Sequence, residues 1–427
     1  MTQRYDTYKD SGVQWLGEIL GHWGCVRLKY ITSKIGSGST PTGGADVYQD
    51  HGVIFLRSQN IYNYGLELVD VAYISKEIHQ EMKGTHVHSG DILYNITGGS
   101  IGRCCLAPES LGEANVNQHV SIVRPRNVEN KFLLYSLQSE YCQTQMRFLQ
   151  TGGNREGLSA TAFKLFNVAL PPLSEQRSIV SYLDAKCGKI DEWVTKKQKE
   201  VEHLQELKQR VIVDAVTRGL NPHVKMKATN ISGLKEIPEH WEMSKISSHF
   251  RQRNEKVSDK DYPALSVSKQ GVTPQLDNVA LSNAEGTSRK LVKVGDYAVN
   301  SRSDRKGSCG VSKYEGSVSL ITIVLEPFNI NGEYIHYLFR SNLWVEEFYR
   351  NGRGIVADLW TTNYQMMKSM YMPVPPLSEQ ELIVSYIDAK CSKIDKLIDN
   401  ITKEIECIKE YKQRLISDVV TGQIKVC

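Results

Sequence analysis

Residues 171–191 read PPLSEQRSIVSYLDAKCGKID, and residues 375–395 repeat this stretch as PPLSEQELIVSYIDAKCSKID. The match continues without a gap from 171–220 to 375–424, with about 28 identities in about 50 positions. This unit is longer than a solenoid repeat and occurs only twice. A weaker echo, LGEILGHWGCVRL around Trp23 and LKEIPEHWEMSKI around Trp241, precedes the two copies. The sequence therefore predicts an internal duplication with pseudo-twofold symmetry.

Each copy of the repeat predicts a long helix. Ser174 and Ser378 are placed to act as N-caps, and Gly219 and Gly422 are typical helix stops. Each helix would span about 45 residues, or roughly 65 Å, which is longer than a compact core needs. Apolar residues recur along both helices in a 3,4 spacing. These two apolar seams predict that the helices pair as a coiled coil.

The seams leave two questions open. Lys208 and Lys412 interrupt them at matching positions, either to set the register and the partner or to extend their amines past the edge of the apolar stripe. Taken alone, the heptads also describe a stalk that joins copies of the chain. Two similar helices in one chain, each ending a globular segment, favour pairing within the chain.

The composition is typical of a soluble protein with two or more cored domains: 427 residues, 40% hydrophobic and 23% charged. The N-terminus is polar and no run of about 18 apolar residues occurs, so we expect a cytoplasmic protein. Nine cysteines without a CxxC pair or zinc-type spacing predict reduced thiols and no metal site. The net charge of +4 permits nucleic-acid binding without arguing for it.

The segments outside the repeat predict two domains that mix strands and helices. VIFLRSQNI and VSIVRP predict strands in the first, ALSVSKQGV and LITIVLEP predict strands in the second, and helices are expected over 131–149 and 333–349. The predicted fold class is therefore α/β (α+β). The predicted segments are a first mixed domain at 1–170, a central helix at 171–220, a second mixed domain at 221–374 and a C-terminal helix at 375–427.

Two polar loops carry the strongest local signal: GDILYNITGGSIGRCCL begins at Gly90, and its counterpart GDYAVNSRSDRKGSCGV begins at Gly295. Each loop follows a strand and is rich in the amides, hydroxyls and cations that bond to base edges and phosphates. Similar clusters occur elsewhere in both domains. The candidate DNA-binding residues are Arg57, Gln59, Asn60, Asn95, Thr97, Ser100, Arg103, Asn117, Gln118, Asn154, Arg155, Lys269, Gln270, Asn300, Arg302, Ser303, Arg305, Lys306, Arg350 and Arg353.

Catalytic motifs are not found in the sequence. The glycines at 98–102 lack the Gly-Lys-Ser/Thr ending of a phosphate-binding loop, and no GxSxG, HExxH, Rossmann or amino-methyltransferase motif occurs. His119 and His336 are candidate bases, but neither has a recognisable nucleophile or carboxylate partner, which favours structural roles. The sequence predicts a binding protein without catalytic residues.

These features together resemble the specificity (S) subunit of type I restriction-modification systems, over essentially the whole length. The resemblance rests on DSGV at 10–13, WLGEI at 15–19, the His22-Trp23 pair, GDILYNITGGSIGR, NQHVSIVRP and the two PPLSEQ copies that open long helices. The first half departs from the usual Ile-Pro-Glu-His-Trp entry, which only the second half carries at 237–241.

The resemblance implies two target recognition domains joined by two helices that pack antiparallel. Each domain would read one half of a split asymmetric site in double-stranded DNA, and the helices would fix the spacer. Two modification subunits would methylate adenine N6 with S-adenosylmethionine, and restriction subunits would add cleavage that uses ATP and magnesium; the chain itself is expected to bind no cofactor. The candidate partner contacts are Glu175, Gln176, Glu379 and Gln380.

Two other interpretations remain open at this stage. One is the specificity component of a related system that carries restriction and methylation in a single polypeptide. The other is a coiled-coil scaffold that does not bind DNA. A steep loss of DNA affinity with salt would distinguish a DNA reader from such a scaffold.

Overall fold

The computed structural model describes residues 5–150, 157–231, 233–275, 289–353 and 360–426. The chain forms two compact units: unit 1 comprises Met1–Lys197 with Lys403–Cys427, and unit 2 comprises Gln198–Thr402. Each unit thus contains one mixed domain and parts of both long helices. The division into four segments, which treats each helix as separate, stays a prediction.

Unit 1 is built around a four-stranded antiparallel sheet. Its helices are α1 (Lys76–Glu81), α2 (Asn130–Gln138), α3 (Glu140–Leu149), α4 (Ala160–Phe163) and the beginning of α5 (Leu173–Arg218). Its strands are β1 (Tyr8–Asp10), β2 (Glu18–Leu20), β3 (Gly24–Arg27), β4 (Thr32–Ser37), β5 (Val53–Leu56), β6 (Ile61–Tyr62), β7 (Gly65–Leu66), β8 (Ala72–Ile74), β9 (Ile92–Asn95), β10 (Cys104–Leu106), β11 (Ala114–Val116), β12 (Val120–Pro125) and β13 (Asn167–Leu170). The main sheet has the order β10-β9-β12-β4, and a smaller sheet has the order β11-β5-β8.

Unit 2 repeats this plan. Its helices are the end of α5, α6 (Gly332–Arg340), α7 (Asn342–Arg350), α8 (Tyr364–Met367) and the beginning of α9 (Leu377–Val420). Its strands are β14 (Met226–Ile231), β15 (Leu234–Pro238), β16 (Glu242–Lys245), β17 (Phe250–Gln252), β18 (Lys256–Val257), β19 (Leu265–Ser268), β20 (Gly271–Pro274), β21 (Arg289–Val292), β22 (Tyr297–Asn300), β23 (Cys309–Val311), β24 (Gly316–Ser319), β25 (Thr322–Pro327) and β26 (Tyr371–Val374). The main sheet has the order β17-β25-β22-β23.

The predicted mixed α/β class is confirmed, and so are the predicted strands, which appear as β5, β12, β19 and β25. The hairpin β9–β10 corresponds to β22–β23, and each hairpin pairs on its other side with a six-residue strand, β12 or β25. All four residues of β9 are buried, which explains why ILYN reads as an apolar run instead of alternating. The polar loops that follow β9 and β22 are therefore held on the central strands of the two main sheets.

The helices expected over 131–149 and 333–349 are each broken in two, so this part of the prediction is wrong. The breaks fall at Ser139 and Ser341, both of which have extended backbone with ψ of 156° and 142°. The Ser341 hydroxyl accepts a hydrogen bond from Trp344 N and caps the second helix. Serine is common at a helix break because its hydroxyl can accept the hydrogen bond of a backbone N–H that has no partner at the helix end.

The two long helices form as the repeat predicts. They begin at Leu173 and Leu377, one residue before the serines, so Ser174 and Ser378 lie inside the first turn and are not N-caps as expected. They end before Gly219 (φ 70°) and Gly422 (φ 77°), left-handed conformations that glycine adopts without strain. Among the described residues, no helix is both long enough and apolar enough to cross a membrane.

Within unit 1, the beginning of α5 and the end of α9 run antiparallel. Trp23 contacts both ends: its indole N–H donates to Glu175 Oε2 at 2.9 Å, and a β-carbon at Gly422 would lie 3.3 Å from its ring. Further along, Lys412 Nζ lies 2.6 Å from Asp191 Oδ1. As the residue number rises on α5 it falls on α9, which is the order that antiparallel packing requires.

Within unit 2, the end of α5 and the beginning of α9 have the same arrangement. A β-carbon at Gly219 would lie 3.0 Å from Glu379 Oε1 and 3.2 Å from the Trp241 ring. Lys208 Nζ lies 2.6 Å from Asp395 Oδ1. In the repeat, Asp191 is equivalent to Asp395, and Lys208 to Lys412. Each ion pair therefore joins the aspartate of one copy to the lysine of the other, which supports the interpretation that the seam lysines set the register.

Reversing one charge tests this register interpretation. We expect Lys208→Asp to lower the free energy of unfolding by about 1 kcal/mol, because a partly exposed pair is lost and two carboxylates then face each other. The double variant K208D/D395K should restore most of the lost free energy of unfolding. Urea denaturation measures the change, and Lys199→Asp, an exposed position on the same helix, is the matched control. Equal losses of stability in Lys208→Asp and Lys199→Asp would contradict the interpretation that the Lys208–Asp395 pair sets the register.

Candidate nucleic-acid interface

The two polar loops are hairpin connections of the same form. Residues 96–103 join β9 to β10, and residues 301–308 join β22 to β23. Asn95 N donates to Arg103 O at 2.8 Å, and Asn300 N donates to Ser308 O at 2.8 Å, which closes each loop at its base. A short 3-10 turn, Gly98–Ser100 or Ser303–Arg305, forms each tip. Loops on a rigid sheet are suited to recognition because the scaffold fixes where their side chains lie.

A buried ion pair anchors the strand that leads to each loop. The Asp91 carboxylate is 1% exposed and accepts from Arg124 Nε at 2.7 Å and Nη2 at 2.8 Å. In unit 2, Asp296 is 3% exposed and accepts from Arg253 Nε at 2.7 Å. These hydrogen bonds raise the pKa of both arginines. The sequence reasoning missed both pairs, although the Gly-Asp that opens both loop motifs was a signal for the aspartates.

In unit 1, four side chains from three loops form a hydrogen-bonded chain. Thr97 Oγ1 lies 2.6 Å from His119 Nδ1, Gln118 Nε2 lies 3.1 Å from His119 Nε2, and the Thr40 hydroxyl bonds to Gln118 Oε1. Two of the four, Thr97 and Gln118, are candidate DNA-binding residues. Thr40 was missed, and His119 was considered only as a base. The structure thus brings two predicted residues together through a histidine.

An aromatic stack packs against Arg103 of the same polar loop. The Arg103 guanidinium carbon is 5.0 Å from the Tyr62 ring centroid, and Tyr62 stacks on Tyr64 with ring centroids 5.0 Å apart. Tyr64 is 73% exposed. Stacked aromatic and guanidinium groups are common where proteins meet nucleic acid. The sequence reasoning missed both tyrosines because IYNY lies outside its polar clusters.

Three predicted asparagines of unit 1 are buried and bonded inside the protein. Asn60 accepts from Arg57 N and donates to Glu67 O, each at 2.9 Å. Asn95 donates to Ser58 O at 2.8 Å and to Ser100 Oγ at 3.1 Å, and Asn117 accepts from His119 N at 3.1 Å. Their amides shape the loops, because a base contact would require breaking these bonds. The burial of these three side chains speaks against direct base contacts.

The remaining predicted residues of unit 1 differ in how accessible they are. Arg57 donates to Asp70 O at 2.7 Å and is half-buried, whereas Gln59 is exposed. Asn154 and Arg155 lie outside the described residues. Arg103, Gln118 and Gln59 therefore offer the most accessible polar groups of the predicted set in unit 1.

In unit 2, the polar loop lines a cleft of about 390 Å³. Asn300, Arg302, Arg305 and Arg289 are among the residues that line it. Arg289 bonds to Ser317 Oγ at 2.9 Å, and burial lowers its pKa from the usual value. Arg302 is paired with Asp304 at 3.0 Å, but no ion pair among the described residues engages Arg305. The cleft is therefore cationic and polar, and Arg305 is its most available guanidinium.

Other predicted residues of unit 2 surround this loop or lie on helix α7. Lys269 and Gln270 form the exposed turn of the β19–β20 hairpin. Lys306 and Arg350 are exposed but paired with Glu346 at 3.3 Å and Glu347 at 2.8 Å. Arg353 is exposed and its backbone pairs with Thr361, and the side chain of Ser303 lies outside the described part of the chain.

The candidate partner contacts at the helix starts have internal roles. Gln176 and Gln380 are each 1% exposed. Each accepts a hydrogen bond from a backbone N–H, of Glu129 or of Asn331, at 2.8 Å, and donates to the carbonyl of the first proline of its PPLSEQ copy. Their burial leaves no surface for a partner. The half-buried Glu175 and Glu379 accept from His22 and His240, so they join each helix start to the HisTrp motif.

The other candidate base, His336, is half-buried. Burial, together with Arg340 and Lys313, lowers the pKa of His336 to about 4, so this histidine is neutral at pH 7. It faces no carboxylate within hydrogen-bonding distance among the described residues, and Arg340 is its hydrogen-bond partner at 3.4 Å. Among those residues, no group of His, Cys, Asp and Glu is arranged to hold a metal ion.

Comparison with known proteins shows what this chain is similar to. Residues 22–203 match the family model described as the type I restriction modification DNA specificity domain. The resemblance to type I specificity subunits is confirmed. A Methanocaldococcus jannaschii protein named as the MjaX type I restriction enzyme specificity subunit is 23% identical over 434 residues, which cover 96% of this chain and 96% of that protein.

Two solved structures share the fold of this chain. A chain from a study of complex assembly and conformational transition of the type I R-M system matches with a TM-score of 0.69 and 15% identity, covering 95% of this chain and 99% of that chain. The HsdS subunit from Thermoanaerobacter tengcongensis matches with a TM-score of 0.50 and 16% identity, covering 95% and 98%. At these identities the likeness shows the fold alone, and it extends over both units.

Proposed function

We propose that this chain is the DNA-reading subunit of a type I restriction-modification complex, in which each unit recognises one half of a bipartite asymmetric site. The observation that carries the proposal is the doubled loop on an anchored hairpin. The two loops share Asn95/Asn300 and Cys104/Cys309 but differ at their tips, where Thr97 and Ser100 correspond to Arg302 and Arg305. The same scaffold therefore presents two different recognition chemistries, as reading two different half-sites requires.

The chain acts in this proposal by binding and positioning, without a catalytic site of its own. Two modification subunits use S-adenosylmethionine to methylate adenine N6, and they flip the adenine because a stacked base cannot enter an active site. Restriction subunits use ATP and magnesium for translocation and cleavage. The paired long helices set the non-specific spacer between the half-sites, as dimer geometry does in other DNA-binding proteins.

An exchange of one reader tests the proposal. Residues 24–170 are replaced by those of a related specificity subunit, and the complete complex is expressed in a host whose N6-methyladenine is mapped by single-molecule sequencing. One half of the methylated sequence should change, while the other half and the spacer should stay the same. Changes in both halves would show that the units do not read independently, and methylation by the purified chain alone would overturn the non-catalytic role.

The cleft of unit 2 gives a residue-level prediction. Arg305→Ala should reduce specific DNA affinity by about 10- to 100-fold, because a lost bidentate arginine contact costs roughly 1–3 kcal/mol. Arg251→Ala is the matched control, since this exposed arginine of unit 2 lies over the Phe328 ring and is not among the candidate DNA-binding residues, and it should change affinity less than about threefold. Binding titrations at fixed salt measure both variants. Equal effects would place the DNA away from the cleft.

A further inference from the structure

The hydrogen-bonded chain in unit 1 has a defined direction. The Thr40 hydroxyl donates to Gln118 Oε1, which leaves the Gln118 amide nitrogen facing His119 Nε2 at 3.1 Å. An amide nitrogen only donates, so His119 Nε2 must accept and carries no proton. The arrangement therefore selects the neutral His119 tautomer that has its proton on Nδ1.

This tautomer determines which hydrogens stay available on the loop. His119 Nδ1–H donates to Thr97 Oγ1 at 2.6 Å, so the Thr97 hydroxyl keeps its own hydrogen for a ligand. Ser100 Oγ accepts from Asn95 Nδ2 at 3.1 Å and also keeps its hydrogen. Gln118 keeps a second amide hydrogen, and Arg103 has donors only. Four side chains of this surface, those of Thr97, Ser100, Arg103 and Gln118, thus each keep a hydrogen to donate.

We infer that unit 1 reads a guanine in the major groove through its N7 and O6, with Thr97 as a base contact and His119 as the residue that positions its hydrogen. This inference rests on the proposed function. Guanine presents two adjacent acceptors in the major groove, whereas adenine presents an acceptor and a donor, cytosine a donor, and thymine an acceptor and a methyl group. Several adjacent donors match the two acceptors of guanine, whereas adenine and cytosine would set a donor against a donor and thymine offers a single acceptor. Phosphate oxygens are the other acceptors on DNA, and the test separates them.

The test uses the complete methyltransferase complex on the site found by methylation mapping. Each guanine of the unit 1 half-site is replaced in turn by 7-deazaguanine, which lacks the N7 acceptor. We expect the replacement to weaken binding about tenfold at one of these positions. Thr97→Val, which removes the hydroxyl at constant shape, should cost about the same on normal DNA and should abolish the sensitivity to 7-deazaguanine. Thr195→Val, on the surface of α5, is the control and should keep full sensitivity.

Three outcomes would overturn the inference, and a fourth would overturn the proposed function. A unit 1 half-site without guanine, or losses from Thr97→Val and 7-deazaguanine that multiply, would overturn the inference. If Thr97→Val instead removes sensitivity to a methylphosphonate in the backbone, the hydroxyl binds phosphate and the inference is wrong. A wild-type complex that shows no sequence preference at all would mean that the proposed function itself has failed.

The role of His119 is tested through a ratio of two affinities, that for the normal site divided by that for the site with 7-deazaguanine at the sensitive position. His119→Asp presents only acceptors to Thr97, which must then donate its hydrogen to the carboxylate, so the ratio should fall from about ten to about one. His119→Asn keeps a donor near the Nδ1 position and should retain most of the ratio. Because the ratio compares two DNAs of equal charge, general repulsion by the new carboxylate cancels. An unchanged ratio in His119→Asp would exclude the positioning role.

Discussion

Replacing Asp91 by alanine is expected to lower the free energy of unfolding of unit 1 by about 3–5 kcal/mol, because it leaves the Arg124 guanidinium without its buried partner. The carboxylate is 1% exposed and also accepts from His88 N at 2.8 Å, so three donors lose their acceptor together. Hydrogen exchange in β9 and β12 measures the loss of stability locally, since Asp91 directly precedes β9 and Arg124 lies on β12. The same change at Asp296 should destabilise unit 2.

Two variants control for the nature of this loss. The double variant D91A/R124M removes both charges and should recover a large part of the stability, because the cost arises from the unpaired buried charge. Glu140→Ala breaks the exposed pair with Arg147 in the same unit and should cost less than about 1 kcal/mol. A D91A loss as small as that of Glu140→Ala would contradict the anchoring role.

The second large effect is expected from Gly38→Ala. Gly38 is buried beyond the end of β4, and its N–H donates to Val120 O at 2.9 Å. A β-carbon there would collide with the carbonyl groups of Val116 and Asn117. Because both neighbours are backbone, no side-chain rotation can relieve the overlap, and we expect a loss of about 2–3 kcal/mol. Thermal unfolding of the purified chain measures it.

Gly38→Ala should also affect recognition. The displaced backbone leads directly into Gln118 and His119, so methylation of the complete site should fall more than the stability loss explains. Gly36→Ala is the matched control, because a β-carbon at Gly36 meets nothing within 4 Å. If the complex that contains the Gly38→Ala subunit methylates its site as the wild-type complex does, at a temperature where the variant is folded, the hydrogen-bonded chain does not contribute to reading DNA.

Particular elements show where the sequence reasoning failed. The sequence predicts one helix over 131–149 and another over 333–349, although a serine within such a stretch is also compatible with a helix end. At the Ser139 break, Glu140 N donates to Ser417 Oγ of helix α9 at 2.8 Å, and at the Ser341 break the serine hydroxyl itself accepts from Trp344 N. The buried Asn60 and Gln176 were predicted to bind DNA and a partner, because polarity in a sequence does not reveal whether an amide is already bonded inside the protein.

The sequence by itself determined the features that depend on local or repeated pattern: the duplication, the two long helices with their glycine stops, the strands, and the two polar loops that differ at their tips. The tertiary structure alone decided the features that join distant residues. It pairs Asp91 with Arg124, Trp23 with Glu175, and the aspartate of each repeat with the lysine of the other. Helix periodicity and turn chemistry are encoded within a few residues, whereas an ion pair or a hydrogen-bonded chain depends on which loops the folded sheets bring together.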